Sequence, residues 1–151
     1  MANEKKKHSI YIKKLKAIGS ALDFKTNPRK APNDYYRNEY HLANPDCVWY
    51  IEVNRKLKEE NIFPDDAVPV VVFEVLYSES EKMMRGSVLS LLFRNPFRGI
   101  LVLLRHDNEP HQRYEERKDY LNRILSKTKR DNIVIWDEEY VDGLHKRLVK
   151  E

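Results

Sequence analysis

Val68-Pro69-Val70-Val71-Val72-Phe73-Glu74-Val75-Leu76-Tyr77 is the stretch on which the fold turns. It is rich in β-branched and aromatic residues and apolar at odd and even positions alike, so neither face of the strand it forms can be left to water. Such a strand is central, and it needs helices on both faces of its sheet. One residue breaks the pattern. Glu74 is a carboxylate in surroundings that tolerate an ionised group only if it is paired, metal-bound or functional.

Working outward, Asn44-Pro45 marks a turn. Asp46 to Val53 then alternates Cys47, Trp49 and Ile51 with Asp46, Val48 and Tyr50, as a strand does. A more polar strand is expected at Tyr35 to Leu42. The charged connection Asn54 to Asp66 has room for a short helix and closes at Pro64. Upstream, Tyr11, Leu15, Ile18 and Leu22 recur at helical spacing between Ile10 and Phe24, with Ser9 as the expected N-cap and Asn27-Pro28 beyond the end. Downstream, Met84, Val88, Leu91 and Leu92 trace a helix over Ser78 to Phe93, with Ser80 as its cap and Asn95-Pro96 as its stop. A fully apolar strand over Arg98 to Leu104 follows, then a helix through Tyr114, Arg117, Leu121, Ile124 and Thr128. A short strand, Ile133 to Trp136, and a helix over Val141 to Val149 complete the chain. The expected fold class is α/β, a three-layer sandwich around one mixed sheet.

The chain has 151 residues, the size of one domain, with 34% charged and 41% hydrophobic residues. Its net charge of +4 is unevenly spread. Residues 1–30 carry nine basic and two acidic side chains, a net +7, and the remainder carries −3. The division expected is a basic tail over residues 1–8 and a single domain over 9–151. A basic segment on a nearly neutral body suits a polyanion, nucleic acid before membrane, or serves as a solubilising face. The single cysteine, Cys47, forbids an intramolecular disulfide and any multi-cysteine zinc site, which fits a cytoplasmic protein. No run is long enough for a membrane span, residues 1–30 lack the apolar core of a secretory leader, and no glycine-rich phosphate loop or dinucleotide fingerprint occurs.

Asp46 opens the strand next to the one that holds Glu74. Two acidic oxygens converging at a strand end, with basic surface nearby, are what a hard cation such as Mg²⁺ needs to bring a phosphodiester into reaction. The plainer alternative has Glu74 in a buried ion pair with Arg85 or Arg105 while Asp46 caps a turn.

Pro45-Asp46-Cys47-Val48-Trp49, then about two dozen residues, then Phe73-Glu74-Val75-Leu76-Tyr77-Ser78, with an amphipathic helix and an apolar strand after it, resembles the PD-(D/E)XK nuclease superfamily, the restriction endonuclease-like fold. The likeness is to its uncharacterised members with a "PDxVW … FEVxxS" pattern, and it runs from Tyr35 to Trp136. It implies Asp46 and Glu74 as catalytic, metal-binding acids for Mg²⁺ or Mn²⁺, and Glu39 as a third ligand. The family's lysine belongs two residues after the glutamate, where this chain has Leu76, an apolar residue that cannot orient or deprotonate water. Some relatives carry the lysine on the following helix, which makes Lys82 the substitute here, and Glu79, Glu81 and Arg85 are further residues within reach. Otherwise catalysis has been lost and the fold kept.

Weaker signals are the loop His106 to His111, expected to be solvated, and Asp137-Glu138-Glu139, expected to be a solvated or capping cluster preceding a helix. Cys47 shares a face with Trp49 and Ile51 and belongs to the core. Tyr35, Tyr36 and Tyr40 beside Arg37 are either packing or a stacking platform for bases. The leading expectation is a Mg²⁺-dependent nuclease-fold protein hydrolysing or binding DNA, with Lys13, Lys14, Lys16 and Arg85 on the phosphate backbone and a homodimer if both strands are cut. The alternatives are an inactive member of the fold that binds nucleic acid or protein, and an unrelated α/β protein.

Overall fold

The computed structural model describes residues 2–26, 44–62, 67–77 and 80–150. The elements are α1 (Ala2–Ala21), β1 (Cys47–Glu52), α2 (Arg55–Glu59), β2 (Ala67–Leu76), α3 (Glu81–Arg94), β3 (Arg98–Leu103), α4 (His111–Thr128), β4 (Ile133–Asp137) and α5 (Glu138–Leu148). The strands form one mixed sheet in the order β1-β2-β3-β4, with β1 antiparallel to β2 and the other two pairings parallel. β2 is interior, as its two apolar faces require. The strand expected at Tyr35 to Leu42 lies outside the described residues.

Alternation along the strands divides the core in two. Trp49, Phe73, Val75, Ile100 and Val102 pack with Tyr11, Leu15 and Ile18 of α1 and Val141 and Leu144 of α5. Val48, Val72, Leu76, Leu101 and Leu103 pack with Met84, Val88 and Leu91 of α3 and Tyr114 and Leu121 of α4. Helices therefore cover both faces of the sheet. Each fully buried Leu, Ile or Phe side chain contributes about 1.5–3 kcal/mol of apolar transfer. The Trp49 indole N–H donates to the Leu15 carbonyl at 2.9 Å, and its ring lies so close to Gly19 that a Cβ there would collide with it.

Local signals set most element ends. Ser80 caps α3 by accepting from the Met83 N–H, and Asn95 ends it in the left-handed region at φ 46°. Asp137 caps α5 by accepting from the Tyr140 N–H at 2.8 Å, while Glu138 and Glu139 form the first turn of the helix itself, so of the acidic triplet Asp137 alone precedes and caps it.

Three expectations need correcting. α1 begins at Ala2, so Ser9 lies inside it, and residues 2–8 are helix rather than a tail. The Lys7 ammonium anchors this first stretch, donating to the Arg105 carbonyl at 2.7 Å and pairing with Glu138 at 2.9 Å. α1 also stops at Ala21, which leaves Leu22 exposed, while Phe24 stacks on Trp49 with ring centroids 5.2 Å apart. The loop after β3 is not simply solvated: Glu109 is buried in an ion pair with Arg117, whose Nη2 also donates to the Leu104 carbonyl. Among the described residues no helix is long and apolar enough to cross a membrane.

Candidate functional site

The antiparallel register that pairs Cys47 with Phe73 and Val48 with Val72 sets Asp46, one residue further, beside Glu74. Glu74 lies on the α3 side of the sheet, in alternation with Phe73, while Asp46, just before β1, turns its carboxylate to the β2 backbone and to α1. Each carboxylate is held by a separate element. Asp46 Oδ2 accepts the Val75 backbone N–H at 2.7 Å, and His8 Nε2 of α1 stands 3.4 Å from the same oxygen. Glu74 Oε1 accepts the Ser90 hydroxyl of α3 at 3.0 Å, and Arg94 Nε one turn later donates to that hydroxyl oxygen at 3.2 Å.

The two acids are driven apart in proton affinity. Burial disfavours the Glu74 anion, the Asp46 charge adds to this, and Glu74 is pushed up to about 8 despite the Ser90 hydrogen bond and the Arg94 charge. Burial also opposes ionisation of Asp46, but the hydrogen bonds from His8 and from the Val75 N–H outweigh it and hold Asp46 below the ordinary carboxylate value. The hydrogen bond to Asp46 raises His8 above the usual imidazole value, against the opposing effect of burial. At neutral pH the pair thus holds one proton, on Glu74, hydrogen-bonded toward an ionised Asp46.

The predicted site residues are distributed unevenly. Asp46 and Glu74 are brought together. Glu39 and Glu79 lie outside the described residues, as do Tyr35, Tyr36, Arg37 and Tyr40. Leu76 is on the same face as Glu74 and 5% exposed, packed in the core with Met84 and Leu103, so the position at which the resemblance expects a lysine holds a core side chain. Lys82 is exposed on α3, eight residues before Ser90; that is about 12 Å along the axis and about 80° round it, toward solvent. Arg85 faces α4 and donates to the Tyr120 hydroxyl at 3.2 Å, and Arg105 donates to Glu139 at 2.9 Å, so neither is the partner of Glu74. On α1, Lys13 is exposed and Lys16 half-buried, with its charge felt at Cys47, while Lys14 pairs with Asp142 at 2.7 Å. Cys47 is buried and pushed up to about 12 by that burial, an inert thiol rather than a nucleophile. Among the described residues no three His, Cys, Asp or Glu side chains are grouped as a metal ion would need.

Sequence reasoning missed His8, Ser90 and Arg94. A signal for His8 existed: it continues the Tyr11 and Leu15 stripe by one helical turn, once the helix is allowed to begin before Ser9. Ser90 and Arg94 share a flank of α3 at a spacing of four, but nothing local ties that flank to Glu74.

No family model, curated protein or solved structure matches this chain.

Proposed function

We propose that this chain is a metal-dependent protein of the restriction endonuclease-like fold that acts on DNA phosphodiesters at Asp46 and Glu74. The observation that carries the proposal is the meeting of these two carboxylates at the end of an antiparallel β-pair, one ionised and one held protonated by burial and its neighbour's charge. The four-stranded mixed sheet between two helical layers is compatible with that fold.

Two adjacent carboxylates suit a hard divalent cation, because Mg²⁺ is held by one or two carboxylates, with water and substrate phosphate completing its shell. Asp46 and Glu74 would hold it, and Glu39 is the third candidate ligand. When bound, Mg²⁺ or Mn²⁺ offsets charge on the phosphodiester oxygens and acidifies water. The protein's own groups prepare the place. The Val75 N–H and His8 fix the Asp46 carboxylate, Ser90 and Arg94 fix that of Glu74, and Glu74 gives up its proton as the pair takes on a cation. Lys13, exposed on α1, is the cation proposed for phosphate contacts, which would confer affinity rather than sequence specificity.

One observation favours a second reading. With Leu76 buried and Lys82 turned to solvent, no lysine stands beside the pair among the described residues, which suits a nucleic-acid-binding module that has kept the fold without turnover. Incubation of supercoiled plasmid and short duplexes with Mg²⁺ or Mn²⁺ separates the two. Cleavage that disappears in Asp46→Ala and Glu74→Ala establishes the nuclease. Salt-sensitive retention of DNA without cleavage establishes the binding module. Cleavage that survives both substitutions, or no binding at low salt, refutes the proposal.

A further inference from the structure

Two turns meet where β3 and β4 begin, residues 95–97 after α3 and residues 129–132 after α4. Asn95 and Lys129 end their helices in the left-handed region, at φ 46° and φ 55°. Hydrogen bonds then stitch one turn to the other. Arg130 Nη1 donates to Asn95 Oδ1 at 2.6 Å, Asn132 Nδ2 to the Pro96 carbonyl at 2.8 Å, and the Gly99 N–H to the Asn132 carbonyl at 2.9 Å. Arg98 Nη1 donates to the Asp131 carbonyl at 3.4 Å. This fixed frame leaves Phe97 77% exposed, more than any other large apolar side chain among the described residues. Leu89 and Phe93, exposed on the last turns of α3, lead up to it.

Arg98, Lys127, Lys129 and Arg130 are exposed in the same two turns or in the helix end that enters them. Lys7, Lys14, Arg105 and Arg117 are each paired with a carboxylate, but none of these four is in an ion pair among the described residues. Arg98 and Arg130 are held by neutral oxygens, a carbonyl and an amide, which position the guanidinium without offsetting its charge. Asp131 is the only acid in either turn.

We propose that this corner binds single-stranded nucleic acid, an unpaired base stacking on Phe97 while the flanking phosphates meet Arg98, Lys127, Lys129 and Arg130. A fixed, exposed ring offers a face to any base, and uncommitted cations beside it follow the backbone. The corner is distinct from the carboxylate pair: Arg98 is paired with Val71, three residues before Glu74, about 10 Å along β2.

Charge and shape select this occupant. The excess of uncompensated cations calls for a polyanion. Bases inside a duplex are already stacked on both faces and have none to give the ring, so the single strand is favoured. An anionic lipid surface would take a helix with a continuous apolar stripe. The outward face of α3 instead presents Lys82 and Gly86 before Leu89 and Phe93, which confines its exposed apolar surface to the end beside the basic turns.

Fluorescence anisotropy of a labelled oligo(dT) of about 15 nucleotides, titrated with the full chain at low salt, tests the proposal. EDTA in the buffer keeps any cation at Asp46 and Glu74 out of the measurement. Saturable, salt-sensitive binding is expected, at least about fivefold tighter than to a duplex of the same length. Phe97→Ala and Phe97→Leu should each weaken it at least about fivefold, whereas Phe97→Trp should retain it, because a base uses the π-face and not apolar bulk. Lys127→Gln with Lys129→Gln, which removes two exposed charges and no hydrogen bond, should weaken binding and lower its salt dependence. No binding at low salt, binding unmoved by Phe97→Ala, equal affinity for the duplex, or capture by phosphatidylglycerol vesicles in place of the oligonucleotide overturns the proposal.

Discussion

Glu74→Gln separates the electrostatic account of the carboxylate pair from a purely structural one. In the folded chain Glu74 titrates at about 8, against an ordinary value of 4.5. The folded state therefore holds a proton that the unfolded state has already released over that interval. With more protons bound in the native state, stability must fall as pH rises through the window, and level off above the folded value. At about 1.4 kcal/mol per pH unit, the interval from 4.5 to about 8 sets a limit on the order of 5 kcal/mol. Glu74 is only partly shielded from water, so about 2–3 kcal/mol is the working expectation. Asp46, whose value is depressed, adds stability that is lost only on acidification below the ordinary carboxylate range, outside this window. His8, whose value is raised, loses its contribution as pH climbs past the usual imidazole value, and it does so in both proteins. The substituted amide keeps an acceptor for Ser90 and cannot ionise. Urea unfolding in EDTA from about pH 5 to about pH 9 should show the native chain losing about 2–3 kcal/mol more than Glu74→Gln. Parallel curves for the two proteins would refute the coupling between Asp46 and Glu74.

Three further outcomes follow from the packing. Arg117→Ala leaves the buried Glu109 carboxylate without its guanidinium partner, with only the His106 backbone N–H and imidazole beside it, and should cost about 3–5 kcal/mol in urea unfolding, whereas the paired change Arg117→Met with Glu109→Leu should cost much less. Gly19→Ala forces a methyl group into the Trp49 indole, which should cost about 1–3 kcal/mol and shift the tryptophan emission. Leu76→Lys introduces the residue type that the nuclease superfamily resembled by the sequence carries at that position but buries an ammonium among Met84 and Leu103; unfolding should show a loss of several kcal/mol, with no gain in plasmid cleavage.

The sequence exposes features whose chemistry conflicts with their surroundings, and is silent on features made by distance. Glu74 stands out because a carboxylate in an apolar run is costly, and the two-faced apolarity of β2 is enough to place helices on both sides of it. Ser80, Asn95 and Asp137 are legible because capping acts within a turn of chain. The beginning of α1 is not. Lys5, Lys6 and Lys7 carry no apolar period and read as a solvated run, yet the Lys7 ammonium is fixed by the Arg105 carbonyl and Glu138, and this carries the helix back to Ala2. The same early start delivers His8 to Asp46. Ser90 and Arg94 reach Glu74 only through the angle at which α3 crosses β2, a property of core packing that no local pattern encodes. Glu109, surrounded by loop residues, reads as solvated because its partner Arg117 sits two turns into α4.

Asp46 and Glu74 are proposed to hold a divalent cation together. Titration of the full chain with Mn²⁺, followed calorimetrically in two buffers of different ionisation enthalpy near neutral pH, tests it most directly. Saturable binding is expected, accompanied by release of the Glu74 proton, with loss of that binding in both Asp46→Asn and Glu74→Gln. Binding of unchanged affinity in the two variants, or none in the native chain, would contradict it.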